Sequence, residues 1–109
     1  MTAPAPLALH HAGYLVHDLE GTARALTRAL GVGPWNVWTI RPERGLVRGE
    51  ERRFSFRVGL ASVGGNHFEL VTPASGPSVL DEFLAANGPG FHHSCLVYGS
   101  LAELRAARN

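Results

Sequence analysis

The chain is short, rather apolar and nearly neutral: it has 109 residues, 45% of them hydrophobic and only 17% charged, with a net charge of +1. This length fits one domain, and the composition excludes a disordered segment, a membrane-spanning chain and a basic surface for nucleic acid. The single cysteine, Cys95, excludes an internal disulfide, and residues 1–8 lack the pattern of an export signal. We therefore expect a cytoplasmic protein without nucleic-acid or membrane partners.

The N-terminal part predicts an arm, a strand and a helix. Residues 1–8 include a short Pro/Ala-rich stretch that we expect to be flexible, and residues 9–16 form an apolar run of strand length. Asp18 is a typical helix N-cap, and Gly31 is a typical helix end. Between them, apolar side chains recur at the spacing of an amphipathic helix: Leu19, Ala23, Leu26 and Leu30.

Three strands are predicted next. Residues 35–41 and 54–61 alternate between apolar and polar side chains, and residues 67–72 follow a Gly-Gly-Asn turn. The polar and charged residues 42–51 predict a loop or a mobile lid. Beyond a linker at 73–77, Ser78 and Ser100 each precede an apolar helical pattern as N-caps. The apolar residues between these two helices, 91–98, predict another strand.

The two ends of the chain are related by an internal repeat. A shift of 82 residues places Leu9-His10-His11 on Phe91-His92-His93 and Leu19 on Leu101. We therefore expect an α+β domain over residues 9–109. It contains one βαβββ module, a linker with a helix, and the start of a second module, at 9–72, 73–90 and 91–109.

The repeat draws attention to its paired histidines. Side chains alternate along a strand, so adjacent histidines are expected to point to opposite faces. His11 and His93 are then the symmetric pair that reaches a shared interior site. His10 and His92 are expected to point outward or toward the covering helices.

Glu69 lies between Phe68 and Leu70 in an apolar strand, where an unpaired carboxylate would be costly. Two imidazoles and this carboxylate, on separate strands, suit a divalent metal, with His67 on the same face as a supporting contact. The alternative is that the histidines are ordinary hydrogen-bonded strand residues and that Glu69 faces solvent on an edge strand. Both interpretations remain open on the pattern alone.

Four segments resemble a known family. The string HAGYLVHDL at residues 11–19 resembles the opening of the vicinal oxygen chelate superfamily, which includes glyoxalases, bleomycin resistance proteins and dioxygenases. GVGPW, ELVTP and GPGFHH, at 31–35, 69–73 and 88–93, resemble its methylmalonyl-CoA epimerase and glyoxalase branch. The resemblance extends over nearly the whole chain.

The resemblance implies paired βαβββ modules that curl around a divalent metal, which would be Co, Ni, Zn, Mn or Mg. By position in the motifs, the implied metal ligands are His11, Glu69 and His93. Epimerases of this type usually carry glutamine at the position of Glu69, whereas glyoxalase-type sites carry glutamate. The base of this branch is usually a glutamate, and Glu69 is a candidate for this role as well as for a ligand. Weaker candidates lie on the charged loop, where simple solvation is the favoured explanation: Glu43, Glu50 and Glu51.

The family's fourth ligand, a glutamate on the last strand of the second module, has no counterpart in these 109 residues. The sequence is then a fragment, or another chain completes the half-barrel, or the site has been lost. Because an incomplete half-barrel exposes sheet edges, we expect a homodimer.

The function implied by the resemblance is a metal-dependent isomerase or lyase that stabilises an enolate on a small carbonyl or acyl-thioester substrate. Five arginines around residues 41–53 are candidates for contact with an anionic or CoA-linked substrate, although the nearby glutamates partly neutralise them and a solvated loop is the favoured explanation. Trp35, Trp38 and Phe56 are candidates for an aromatic cleft. The alternatives are a non-catalytic protein that sequesters small molecules and an extradiol-type dioxygenase.

Overall fold

A computed structural model describes residues 5–108, which form seven strands and three helices. The strands are β1 (Ala8–Leu15), β2 (Asn36–Ile40), β3 (Gly45–Val47), β4 (Glu50–Arg52), β5 (Ser55–Val63), β6 (Asn66–Ser75) and β7 (Gly90–Val97). The helices are α1 (Leu19–Leu30), α2 (Val79–Asn87) and α3 (Leu101–Arg108). Of the predicted flexible arm, residues 1–4 lie outside the described part, and Ala8 already belongs to β1. None of the helices described is long and apolar enough to cross a membrane.

The main sheet has five strands in the order β2-β5-β6-β1-β7. β1 lies between β6, to which it is parallel, and β7, to which it is antiparallel. This confirms the predicted α+β class with its βαβββ module. It also places side by side the three strands that carry the predicted metal ligands.

Helix α1 covers one face of the sheet. The Asp18 carboxylate accepts a hydrogen bond from the Gly21 N–H at 3.0 Å, and Gly31 ends the helix at φ 73°, as the sequence predicts. Leu19 and Ala23 are buried beside Leu70 of β6. Leu30, in contrast, is 70% exposed, so the apolar stripe ends one turn earlier than predicted.

Helix α2 covers the opposite face. Ser78 and Asp81 form the predicted capping box, in which the Asp81 carboxylate accepts from the Ser78 N–H at 2.9 Å. Leu84 of α2 packs into a buried cluster with side chains from three strands: Leu15, Val58 and Val71. Where the helices cover the sheet, a polar side chain buried on β1 or β6 needs a hydrogen-bonding or charged partner.

Residues 42–51 are more ordered than the predicted polar loop. β3 and β4 pair as a hairpin through Arg48 and Gly49, whose φ angles are 52° and 80°. Two positive φ values in a two-residue connection are typical of a type I′ turn, which matches the twist of the paired strands. Arg48 also donates two hydrogen bonds of 2.6 Å to the Glu82 carboxylate on α2. The prediction of a loop missed these interactions because polar composition does not report pairing between strands.

The internal repeat is a feature of the fold. The shift of 82 residues carries the bounds of β1 onto those of β7 and the first residue of α1 onto that of α3. Since β1 and β7 are antiparallel neighbours, the two copies are related by a local twofold axis between these strands.

The pairing of β1 with β7 has one register shift in each copy of the repeat. Leu9 pairs with Leu96 and His11 with Cys95, which leaves His10 as an extra residue; His92 is the extra residue in β7. Such bulges interrupt the alternation of side chains. The expectation that adjacent histidines point to opposite faces is therefore wrong: the rings within each pair are 5.0 and 5.2 Å apart.

Candidate metal centre

His11, Glu69 and His93 converge on three neighbouring strands of the sheet, β1, β6 and β7. The two histidine Nε2 atoms are 3.2 Å apart, and Oε1 of Glu69 lies 2.9 Å from Nε2 of His93 and 3.6 Å from Nε2 of His11. The Glu69 side chain is only 14% exposed. The structure thus brings together the three residues that the sequence singles out, each from a different strand.

Gly13 explains how these side chains meet. It pairs with Glu69 on one side of β1 and with His93 on the other. A Cβ atom at Gly13 would overlap the His93 imidazole ring. The missing side chain leaves the space in which the carboxylate and the imidazole approach each other.

The spacing of the three atoms fits a divalent cation. Ligands about 2.1 Å from one ion are separated by about 3.0 Å at right angles and about 3.4 Å at tetrahedral angles. The observed separations, 2.9 to 3.6 Å, cover this range. Two imidazole nitrogens and one carboxylate oxygen also form a donor set that suits several divalent metals. The residues present therefore fit the metal that the sequence predicts.

Burial keeps His11 receptive to a cation. Desolvation lowers the pKa of His11 below its usual range, against the opposing charge of Glu69, and neighbouring His93 lowers it further. Desolvation likewise lowers the pKa of His92. Because a metal binds the unprotonated ring, His11 is in its binding form at neutral pH.

Three more histidines surround this group. Nδ1 of His10 is 2.8 Å from Nδ1 of His11, and Nδ1 of His92 is 3.0 Å from Nδ1 of His93. His67 stacks on His10 at 4.6 Å, with Nδ1 3.2 Å from the His10 carbonyl oxygen. His67 was expected to support the metal ligands, but its contacts are with His10.

A cavity of about 360 Å³ opens beside the centre, and Glu69, His92 and His93 lie in its wall. The rest of the lining is apolar: Leu15, Ile40, Phe54, Phe56, Val58, Val71, Val79 and Leu80. Sequence reasoning missed His92 and the α2 side chains, because only the bulge and the docking of α2 bring them here. The sequence signal that could have indicated this cavity is the alternation of Phe54, Phe56 and Val58, which places these three side chains on one face of the predicted strand.

The three predicted cleft aromatics do not share a site. Phe56 lines the cavity, whereas Trp35 lies on the α1 side, where its Nε1 donates to Thr27 Oγ1 at 3.1 Å, and Trp38 is 43% exposed. Trp35 instead borders a separate groove of about 450 Å³ along α1, lined also by Leu19, Ala23 and Val37. No histidine lines this groove, so it is distinct from the candidate metal centre.

The arginines around the β3–β4 hairpin are mostly paired with carboxylates. Arg44 pairs with Glu51, Arg52 with Glu50 and Arg48 with Glu82. Within residues 5–108, the two others of the predicted group, Arg41 and Arg53, have no ion pair. Three of the five arginines are thus neutralised, two by glutamates of the hairpin, Glu50 and Glu51, and one by Glu82 of α2.

Solved structures of methylmalonyl-CoA epimerases share this fold. The Mycobacterium tuberculosis enzyme superposes with a TM-score of 0.67 at 24% identity, over 99% of this chain and 67% of that one. A Streptomyces coelicolor epimerase variant in complex with 2-nitronate-propionyl-CoA superposes with a TM-score of 0.64 at 19% identity. The match covers 93% of this chain and 69% of the epimerase chain. The same values describe an epimerase in complex with methylmalonyl-CoA and NH4+. This chain spans about two thirds of the length of these proteins.

No curated protein matches the sequence. A family profile does match it, over residues 10–108, and is described as the Glyoxalase/Bleomycin resistance protein/Dioxygenase superfamily. This match covers nearly the whole chain and includes all three converging residues. The resemblance drawn from the sequence is thereby confirmed, and the chain belongs to the glyoxalase/bleomycin resistance protein/dioxygenase superfamily.

Proposed function

We propose that this protein is a metal-dependent isomerase or lyase of the methylmalonyl-CoA epimerase or glyoxalase type. The observation that carries the proposal is the convergence of His11, Glu69 and His93 within 3.6 Å, beside a cavity that accepts a small molecule. The chemical class of the substrate is a small carbonyl compound or acyl thioester, including anionic and CoA-linked ones. The fold shared with epimerases supports this assignment.

Each residue has a role in this mechanism. His11 and His93 would hold a divalent cation, since their Nε2 atoms face each other at 3.2 Å. Glu69 meets both histidines through Oε1, which leaves Oε2 to take a proton from the carbon next to the substrate carbonyl and return it. A bound divalent cation supplies Lewis acidity, which stabilises negative charge on the substrate oxygen. The apolar cavity wall excludes water and so strengthens these charge interactions.

Two other functions use the same cavity. A binding protein without catalysis is favoured by the apolar lining, which suits a hydrophobic ligand. An extradiol-type dioxygenase is favoured by the donor set itself, because two histidines and one carboxylate are typical ligands of non-haem iron. The nature of the bound metal and the reaction it supports distinguish the three.

The decisive experiment measures hydrogen–deuterium exchange at the carbon next to the carbonyl of methylmalonyl-CoA in D2O, by NMR, with Co2+-loaded protein. We expect exchange in the wild type and none in the His11→Ala/His93→Ala double variant, which should also lose metal. Replacing Glu69 by Gln, the residue usual in epimerases, should retain the metal and lower exchange by about a hundredfold or more, since the base is removed.

The exposed His17→Ala variant is the matched control, because it removes a histidine outside the group and should change neither metal content nor exchange. Undiminished exchange in the Glu69→Gln variant would show that Glu69 is not the base. A metal-free wild type that binds small molecules equally well after the double substitution would favour the binding protein. Bound iron with oxygen consumption on a catechol would favour the dioxygenase.

We further propose that the protein acts as a homodimer. β7 is an outer strand of the described sheet, and large apolar side chains are exposed where β1 and β7 pair: Leu7, Leu9, Leu96 and Val97. A second copy that covers this end would bury both the open strand edge and the apolar surface.

A further inference from the structure

A thiol lies on the other side of His11. Cys95 pairs with His11 across β1 and β7, and it is half-buried and free of any disulfide. One ligand atom from each of His10, His11 and Cys95 lies within 4.8 Å of the other two. The Nδ1 atoms of His10 and His11, 2.8 Å apart, already lie at nearly the separation of two ligands on one ion.

The internal repeat explains why this thiol is close to a histidine. The local twofold axis relates Gly13 to Cys95, just as it relates His11 to His93. In the first copy the bare Gly13 leaves room for the His93 ring to lie over it. In the second copy the equivalent position carries a sulfur, which therefore faces His11. The cluster results from this one departure from the symmetry of the repeat.

We propose that His10, His11 and Cys95 form a second cation site, distinct from the centre at Glu69 and His93. Its donor set, two imidazoles and a thiolate, suits borderline-soft ions such as Zn2+ and Co2+, whereas the first centre offers a carboxylate in place of sulfur. Zn2+ favours four ligands, and solvent can reach the fourth position because His10 is exposed.

The two sites use different nitrogens of the same ring. Nε2 of His11 faces Glu69 and His93, whereas Nδ1 faces His10. Filling both sites would use one ring nitrogen of His11 for each cation and would require the ring to lose its proton. Binding of the second ion then releases two protons, one from the Cys95 thiol and one from the His11 ring.

The test is a Co2+ titration of the reduced full chain, followed in the near ultraviolet, where a thiolate bound to Co2+ gives a charge-transfer band. We expect two Co2+ per chain and a thiolate band in the wild type. The near-isosteric Cys95→Ser variant should bind one Co2+ without the band, and His10→Ala should raise the half-saturation concentration of the band by about tenfold or more. Glu69→Gln and His93→Ala should keep the band.

A second measurement does not depend on how the Cys95 variant folds. In the His93→Ala background, Zn2+ should slow alkylation of Cys95 by iodoacetamide by about tenfold or more, and the further change His10→Ala should abolish this protection. A wild type without a thiolate band, or alkylation of Cys95 at the same rate with and without Zn2+, would overturn the proposal. Neither result bears on the reaction at Glu69, so the two proposals fail independently.

Discussion

At the scale of single residues, the candidate centre depends on the absence of a side chain at Gly13. This residue is buried on β1, next to Glu69 of β6 and His93 of β7 in register. Its φ angle is not positive, so conformational freedom is not the reason for glycine here. The reason is space, because the His93 ring occupies the volume that a methyl group would fill.

Gly13→Ala should therefore displace His93 and weaken metal binding at the first centre. We expect the dissociation constant for Co2+ to rise by about 10- to 100-fold. This is the range found when a residue that orients a metal ligand is replaced. Calorimetric titration in a Cys95→Ser background measures this constant without interference from the proposed second site. Gly90→Ala, on the paired strand and with nothing near its Cβ position, is the control and should leave the affinity unchanged. Equal affinities in the two variants would contradict this role of Gly13.

At the scale of secondary-structure elements, the β3–β4 hairpin is tied to α2 beside the cavity. The guanidinium of Arg48 meets Glu82 through two parallel hydrogen bonds, the geometry in which arginine binds a carboxylate best. Both side chains are largely exposed, at 73% and 43%, so solvent screens the pair and its contribution to global stability is small. Its effect is instead local, on the position of the hairpin relative to Val79 and Leu80 in the cavity wall.

We expect Glu82→Gln to loosen the hairpin while leaving the sheet intact. Amide hydrogen exchange over Gly45–Val47 and Glu50–Arg52 should become about two- to fivefold faster, the effect of losing up to about 1 kcal/mol of local stability. Exchange in β1 and β6 should not change. Glu103→Gln, on α3, is the control and should not affect the hairpin. If the hairpin amides exchange at the wild-type rate, the Arg48–Glu82 pair does not restrain it.

At the scale of the whole molecule, the fold exposes more surface than a compact monomer. The accessible surface is 7388 Å², whereas a compact chain of 11.7 kDa exposes about 5,900 Å². The radius of gyration, 15.7 Å, likewise exceeds the roughly 13 Å typical of this length. The excess, about 1,500 Å² per chain, is more than the roughly 800 Å² that each partner buries in a standard protein interface. This surplus supports the proposed homodimer.

Sedimentation equilibrium should give twice the mass of one chain. Leu96→Arg, at the apolar end of the β1–β7 pair, should shift the equilibrium to the monomer by placing a charge in the interface. Leu30→Arg is the matched control: Leu30 is equally apolar and 70% exposed, but it lies at the end of α1, and the variant should remain dimeric. A wild type that stays monomeric at high concentration would rule the dimer out.

Interactions between residues close in sequence determined the helix ends and the order of the strands and helices. Asp18, Gly31 and the Ser78–Asp81 box fix the helix ends through short-range hydrogen bonds, so the sequence predicts them directly. Period-two alternation and the internal repeat likewise predicted the βαβββ module. The structure brings His11 and His93 together at Glu69, and their role as metal ligands stays a prediction. The alternation used to select them fails at both bulges.

Tertiary structure decided what depends on neighbours distant in sequence. The bulges that bring His10 and His92 beside the centre arise from the pairing of β1 with β7, which no local pattern encodes. The β3–β4 hairpin, the cavity wall supplied by α2 and the sulfur of Cys95 next to His11 have the same origin. Short-range hydrogen bonds and side-chain periodicity are readable along the chain, whereas strand register and helix docking are set by packing between segments far apart in it.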